Sequence, residues 1–152
     1  MGEEITVIDD SDIVGWAASA TRIGEVYMSN VRTMVANVKQ EIRDKKISRL
    51  NILDHGNSEG IQIGNDWITV KTLPAFAPEL KKLKPLFEKD GFVHLQHCNI
   101  GQNRTLLLSL AKLLGVSVYA GTGKHNPVYR FNFGEYVKAD PNGTFHSKAG
   151  RP

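Results

Sequence analysis

The chain has 152 residues, 41% hydrophobic and 23% charged, an ordinary globular composition at a length that suits one domain with its own core. Its 19 basic and 16 acidic residues leave a net charge of only +3, too slight and too well mixed to mark a nucleic-acid-binding surface. The one cysteine, Cys98, excludes an internal disulfide framework, and no apolar run is long enough to cross a membrane.

Ile5 to Ile8 is a short β-branched run that stops at Asp9-Asp10-Ser11-Asp12, the pattern of a buried strand and a polar turn. Val26, Val31, Met34, Val38 and Ile42 then recur at helical spacing, which predicts a helix over Gly24 to Lys45 ending in a basic turn. Leu50 to Leu53 is a second strand, closed by Asp54-His55-Gly56. Gly60 to Val70 reads as a small hairpin turning at Gly64-Asn65-Asp66. Leu73 to Phe87 is a helix candidate restricted by Pro74, Pro78 and Pro85. Phe92 to Gln96 is a third strand, ending at His97-Cys98-Asn99. A helix over Thr105 to Leu114 is closed by Gly115, and Val116 to Ala120 is the fourth strand. Gly121 to Pro127 is a loop, and Phe131 to His146 reads as a hairpin turning at Asp140-Pro141-Asn142-Gly143.

Strands alternating with helices predict an α/β fold: a three-layer sandwich with a mainly parallel sheet and a C-terminal β-hairpin, all within a single domain. In open sheets of this kind, ligands sit at the carboxyl ends of the strands. Two of those ends carry His55 and Cys98, and Cys98 follows His55 by 43 residues. If the two strands are neighbours, both side chains face one crevice. There an imidazole can take the thiol proton or move one to a leaving group, and the thiolate is the nucleophile. The backbone amides of Gly56 and Cys98 are candidate oxyanion donors. Asn99-Ile100-Gly101 leads toward a helix N-terminus, a further electropositive influence.

The strand Leu50-Asn51-Ile52-Leu53-Asp54 ending in His55-Gly56, and the strand Phe92-Val93-His94-Leu95 ending in Gln96-His97-Cys98, resemble the caspase-like cysteine peptidases. That superfamily includes caspases, legumains, gingipains and clostripain. The caspase signature begins Gln-x-Cys, with its histidine about 50 residues upstream. Here the following glycine is Gly101, three residues after the cysteine rather than two. The order His55-Gly56, a hairpin of Gly60 to Asn65, then Cys98-Asn99 more closely resembles a bacterial caspase-fold family of unknown function found in large surface and secreted proteins. The likeness spans roughly residues 48–123, and departs from that family's pattern at Asp54 and His97. It implies a caspase-like topology and peptidase chemistry from a His55/Cys98 dyad, in a bacterial effector, toxin or processing domain.

Around this pair, Gln96 keeps the Gln-x-Cys pattern. Lys124 and Arg130 can bind an acidic substrate side chain, and Asp10 and Asp12 a basic one. His94 alternates onto the face of Gln96 and Cys98 but lies deeper, as a structural residue. The expected partner is a protein or peptide substrate, with no nucleic acid, membrane, metal or other cofactor. The acidic start Met1-Gly2-Glu3-Glu4 is unlike a secretory signal, so the expected location is cytoplasmic, or a target cell reached without one.

Three other readings compete. A catalytically inactive caspase-fold binding module keeps the fold without the chemistry. A phosphoacceptor receiver-like domain accounts for Asp9-Asp10 and Asp54 but lacks a lysine at the end of the fourth strand. A zinc site would need His94 and His97 to converge from opposite faces of one strand.

Overall fold

The structure, a computed structural model, describes residues 2–9, 26–129 and 131–152. Its centre is a seven-stranded sheet. The strands are β1 (Glu3–Asp9), β2 (Val26–Met28), β3 (Ile47–Leu53), β6 (Phe87–Gln96), β7 (Ser117–Gly121), β10 (Tyr136–Ala139) and β11 (Phe145–His146). Their order is β11-β10-β7-β6-β3-β1-β2. From β7 to β2 all neighbours are parallel, and β10 and β11 close the far edge antiparallel. The α/β architecture with a mainly parallel sheet, helices around it and a C-terminal hairpin is therefore present. Among the described residues no helix is long and apolar enough to cross a membrane.

Helix α1 (Val31–Ile42) begins later than the apolar periodicity implies. Gly24 lies outside the described residues, and Val26–Met28 is an edge strand whose alternation buries Val26 and Met28 while exposing Tyr27. The boundary is set by Asn30, whose side chain accepts the Thr33 N–H while the Thr33 hydroxyl accepts the Asn30 N–H. The helix also stops at Ile42, three residues short of Lys45. Val31, Met34, Val35, Val38 and Ile42 are buried, each contributing about 1.5–3 kcal/mol.

The Leu73 to Phe87 segment is divided. Helix α2 spans Leu73–Leu80, a tighter 3₁₀ turn spans Lys81–Leu86, and Phe87 already begins β6. Pro78 and Pro85 lack the N–H that a continuous α-helix needs. β6 runs ten residues because Phe87 pairs with Ile47 ahead of an irregularity in the ladder, after which Phe92 to Gln96 pair with Arg49 to Leu53. Helix α3 (Arg104–Leu114) ends at Gly115, whose φ of +70° is the left-handed value a glycine accepts freely.

The core unites Ile5, Val7, Leu50, Ile52, Val93, Leu95, Val118 and Ala120 with the buried faces of all three helices. The hairpin of β4 (Gly60–Ile63) and β5 (Asp66–Thr69) adds Ile61, Ile63 and Ile68 to it. The alternate strand positions carry a polar layer instead. Asn51 donates to Glu4 at 2.7 Å and to Thr6 at 3.2 Å, and Arg49 Nε donates to Asn51 Oδ1 at 2.8 Å.

At the C-terminal side, Phe131–Asn132 does not join the last hairpin. It forms β9, which pairs antiparallel with β8 (His125–Asn126) inside the stretch expected to be loop. The final hairpin is β10–β11, and it turns where the sequence places it, with Gly143 N–H donating to Asp140 C=O at 3.0 Å.

Candidate active site

β3 and β6 are neighbours, and Leu53 pairs with Gln96 at their carboxyl ends. The ladder ends there, and His55 and Cys98 each follow two residues after its last pair, at neighbouring strand ends. The backbones stay close beyond the ladder: a Cβ on Gly56 would stand 2.8 Å from the His97 Cβ and 3.2 Å from the Cys98 carbonyl oxygen. A side chain there would push the two segments apart. His55 is exposed and Cys98 is half-buried, so the pair is reachable from solvent.

Gly56 forms an antiparallel bridge with Ile61. The two hydrogen bonds flanking it are Gln62 N–H to His55 C=O at 2.9 Å and Asn57 N–H to Gly60 C=O at 3.0 Å. In this pairing the bridge residue's own N–H turns away from the hairpin. The Gly56 amide is thereby directed away from β4, while its backbone lies against the Cys98 segment.

The two residues that depart from the resembled pattern both bind the β4–β5 hairpin. Asp54 is buried and accepts the His55 N–H and the Gly64 N–H, each at 2.8 Å. His97 is buried and its Nε2–H donates to the Gln62 carbonyl at 2.9 Å. A carbonyl only accepts, which fixes the proton on Nε2 and leaves Nδ1 buried without a hydrogen-bond partner among the described residues. Burial pulls the His97 pKa down from 6.5 to about 4, the Gln62 carbonyl opposes this, and nearby His55 adds to the lowering. His97 is accordingly a neutral strut at neutral pH.

The opposite wall comes from the segment after β7. The His125 N–H donates to the Cys98 sulfur at 3.4 Å, and the Asn99 N–H donates to the Gly123 carbonyl at 2.8 Å. This segment is fixed by buried Asn132. Its Oδ1 accepts the Gly123 N–H at 2.9 Å and the Gly134 N–H at 2.7 Å, and its Nδ2 donates to the Gly123 carbonyl at 2.8 Å. The Asn132 N–H donates to the Tyr136 hydroxyl at 2.7 Å. Gly101 is explained here: its Cα packs on the backbone of Gly121, where a Cβ would come within 2.5 Å of the Gly121 carbonyl carbon. Nothing in hydrophobic periodicity announces Asn132. The triplet Asn132-Phe133-Gly134 signals a turn and no more.

Of the remaining expected site residues, Gln96 and Lys124 are described. Gln96 is buried, and its amide lies 3.3 Å from His94 Nδ1. Arg49 also reaches His94 Nδ1 at 3.2 Å; guanidinium only donates, so this nitrogen is an acceptor and His94 is a structural member of the polar layer. Lys124 is exposed, one residue before His125. Asp10, Asp12 and Arg130 lie outside the described residues. The segment from Cys98 leads into the next helix through a turn. Asn99 adopts a left-handed conformation, with φ of 61°, and a short 3₁₀ turn over Ile100–Gln102 follows. α3 starts only at Arg104, its first turn capped by Asn103. Among the described residues no three His, Cys, Asp or Glu side chains converge to hold a metal ion.

Sequence comparison matches residues 6–126 to a single family, DUF4347, a domain of unknown function. The chain belongs to that family. The DUF4347 match runs from β1 to β8 and so contains both His55 and Cys98, as well as Asp54, His97 and His125. Asn132 falls just beyond it. No curated protein matches the chain.

Proposed function

We propose that this domain is a cysteine peptidase, or a related amide hydrolase, in which Cys98 and His55 are the catalytic pair. The observation that supports the proposal is that β3 and β6 are neighbours paired up to Leu53 and Gln96, with an exposed imidazole and a half-buried thiol each two residues beyond. The resemblance of the two strand-end motifs to caspase-like peptidases supports the same reading. It also suggests the setting we propose, a bacterial effector, toxin or processing domain.

In this mechanism the Cys98 thiol passes its proton to His55 and the sulfur bonds to the carbonyl carbon of a peptide substrate, whose C=O electron pair moves onto the oxygen. The Gly56 and Cys98 amides donate to the developing oxyanion. The C–N bond breaks as His55 protonates the leaving amine, which leaves an acyl-thioester. Water then attacks that thioester with its proton passing to His55, and the acid is released with the thiol restored. The chemistry is complete without a metal.

Asp54 argues against the receiver-like alternative. A phosphoacceptor must present a carboxylate oxygen to the incoming phosphoryl group, whereas both Asp54 oxygens accept backbone N–H bonds in a buried position.

The test is alkylation of Cys98 by limiting iodoacetamide across a pH series, read by mass spectrometry, in the wild type and in His55→Ala. An activated pair gives rapid labelling well below the ordinary thiol pKa of about 8.5, and His55→Ala slows or shifts it. Slow labelling indifferent to His55 overturns the dyad and leaves a binding module on the same fold.

A further inference from the structure

We infer that the outer face of the helices is a docking groove for an acidic amphipathic segment of a partner protein. The groove encloses about 470 Å³ between α2 with its following 3₁₀ turn and α3. Leu73, Ala77 and Leu113 form its floor, and Lys81, Lys84 and Lys112 line it from both sides. Val70, which also lines it, is 44% exposed.

The groove is separate from the Cys98 site. Ser109, Lys112 and Leu113 line it, whereas Leu110, Ala111 and Leu114 on the same helix are buried in the core. It therefore lies on the side of α3 turned away from the sheet.

Charge complementarity names the occupant. All three lysines are exposed, and none forms an ion pair among the described residues. The neighbouring Lys82 differs, being paired with Glu79 at 2.8 Å. Among the described residues no Asp or Glu lines the groove. The Lys84 stem runs along Gly115, where a Cβ would lie 2.9 Å from its Cε, so the side chain is steered over the helix end. The exposed Val70 and the half-exposed Ala77 and Leu113, over buried Leu73 and ringed by lysines without an ion pair among the described residues, fit a helix or extended segment with apolar anchors and flanking carboxylates. Each exposed contact is weak alone, so affinity rests on several acting together.

The experiment uses the whole chain and a fluorescein-labelled synthetic peptide of about 16 residues, leucine at i, i+3, i+4 and i+7 and glutamate elsewhere, followed by anisotropy. The expected result is saturable binding that weakens with salt and falls by about tenfold or more in Lys81→Glu/Lys84→Glu/Lys112→Glu. Lys39→Glu, on exposed α1 surface, leaves it unchanged. If the triple variant melts early, Lys112→Glu alone gives a loss of roughly threefold in a folded protein. The inference is overturned by absence of saturable binding or by undiminished binding to the folded charge-reversal variants. Equal binding of a glutamine-for-glutamate peptide, or binding to phosphatidylglycerol vesicles in place of the peptide, overturns it as well.

Discussion

The two walls around Cys98 are built differently. On the β3 side, the residues that brace the site are the immediate neighbours of His55 and Cys98. Asp54 and His97 each reach to the β4–β5 hairpin, and the hairpin buries three isoleucines in the main core. On the β7 side, one distant side chain, Asn132, holds a loop by three hydrogen bonds, and the loop presents the His125 amide to the sulfur. The first wall is part of the folding core. The second is a clip laid over it, next to exposed Tyr129 and Phe133. Changes to the first wall should cost global stability, and changes to the second should alter the thiol more than the fold.

The largest effect is expected at Asp54. Asp54→Ala leaves the His55 and Gly64 amides without their acceptor and opens a small cavity. Losing two hydrogen bonds to a buried carboxylate costs about 4 kcal/mol. A urea melt at neutral pH measures it. A midpoint close to wild type would place the hairpin outside the cooperative core and erase the contrast between the walls.

The same contrast governs what could be read from sequence. Strand ends, the helix over Thr105 to Leu114 and the hairpin over Gly60 to Val70 are legible because burial imposes period and length on local residues. The His55 and Cys98 positions are legible for that reason, since each simply ends a hydrophobic run. Val26–Met28 is misread because three residues on an edge strand fit a helical stripe equally well, and only the Asn30 cap separates them. The β8–β9 pairing and the role of Asn132 depend on contacts that no periodicity encodes. The burial of Gln96 and its contact with His94 are likewise not legible, because a motif match does not say how deep a strand residue lies.

An intermediate effect is expected from pH. The neutral form of His97 is favoured in the fold, because burial lowers its pKa from 6.5 to about 4. Its contribution is fully present above pH 6.5. As pH falls toward 4 the unfolded chain takes a proton that the folded chain refuses, and stability drops by about 3 kcal/mol over that window. His97→Gln keeps a donor for the Gln62 carbonyl but cannot titrate. Its urea midpoint should fall less steeply than that of the wild type between pH 6.5 and 4. Parallel slopes would show that His97 is not the group responsible.

The smallest effect on stability and the most specific effect on the site are expected at Asn132. Asn132→Ala removes the acceptor of the Gly123 and Gly134 amides and one of the two donors to the Gly123 carbonyl, which keeps the Asn99 N–H. Gly123 is half-buried and Gly134 is exposed, so water replaces some of what is lost and the cost is about 2 kcal/mol. The loop then no longer fixes the His125 N–H against the sulfur. The pH profile of Cys98 alkylation should shift in Asn132→Ala even where the protein remains folded by circular dichroism. Asn132→Asp retains the Oδ1 acceptor for both amides but sets a carboxylate oxygen against the Gly123 carbonyl and adds a negative charge to this wall, so its profile should shift toward higher pH. A shared profile for all three proteins would mean that the β7 wall does not tune the thiol. The reactivity of Cys98 would then be set by the β3 wall and His55 alone.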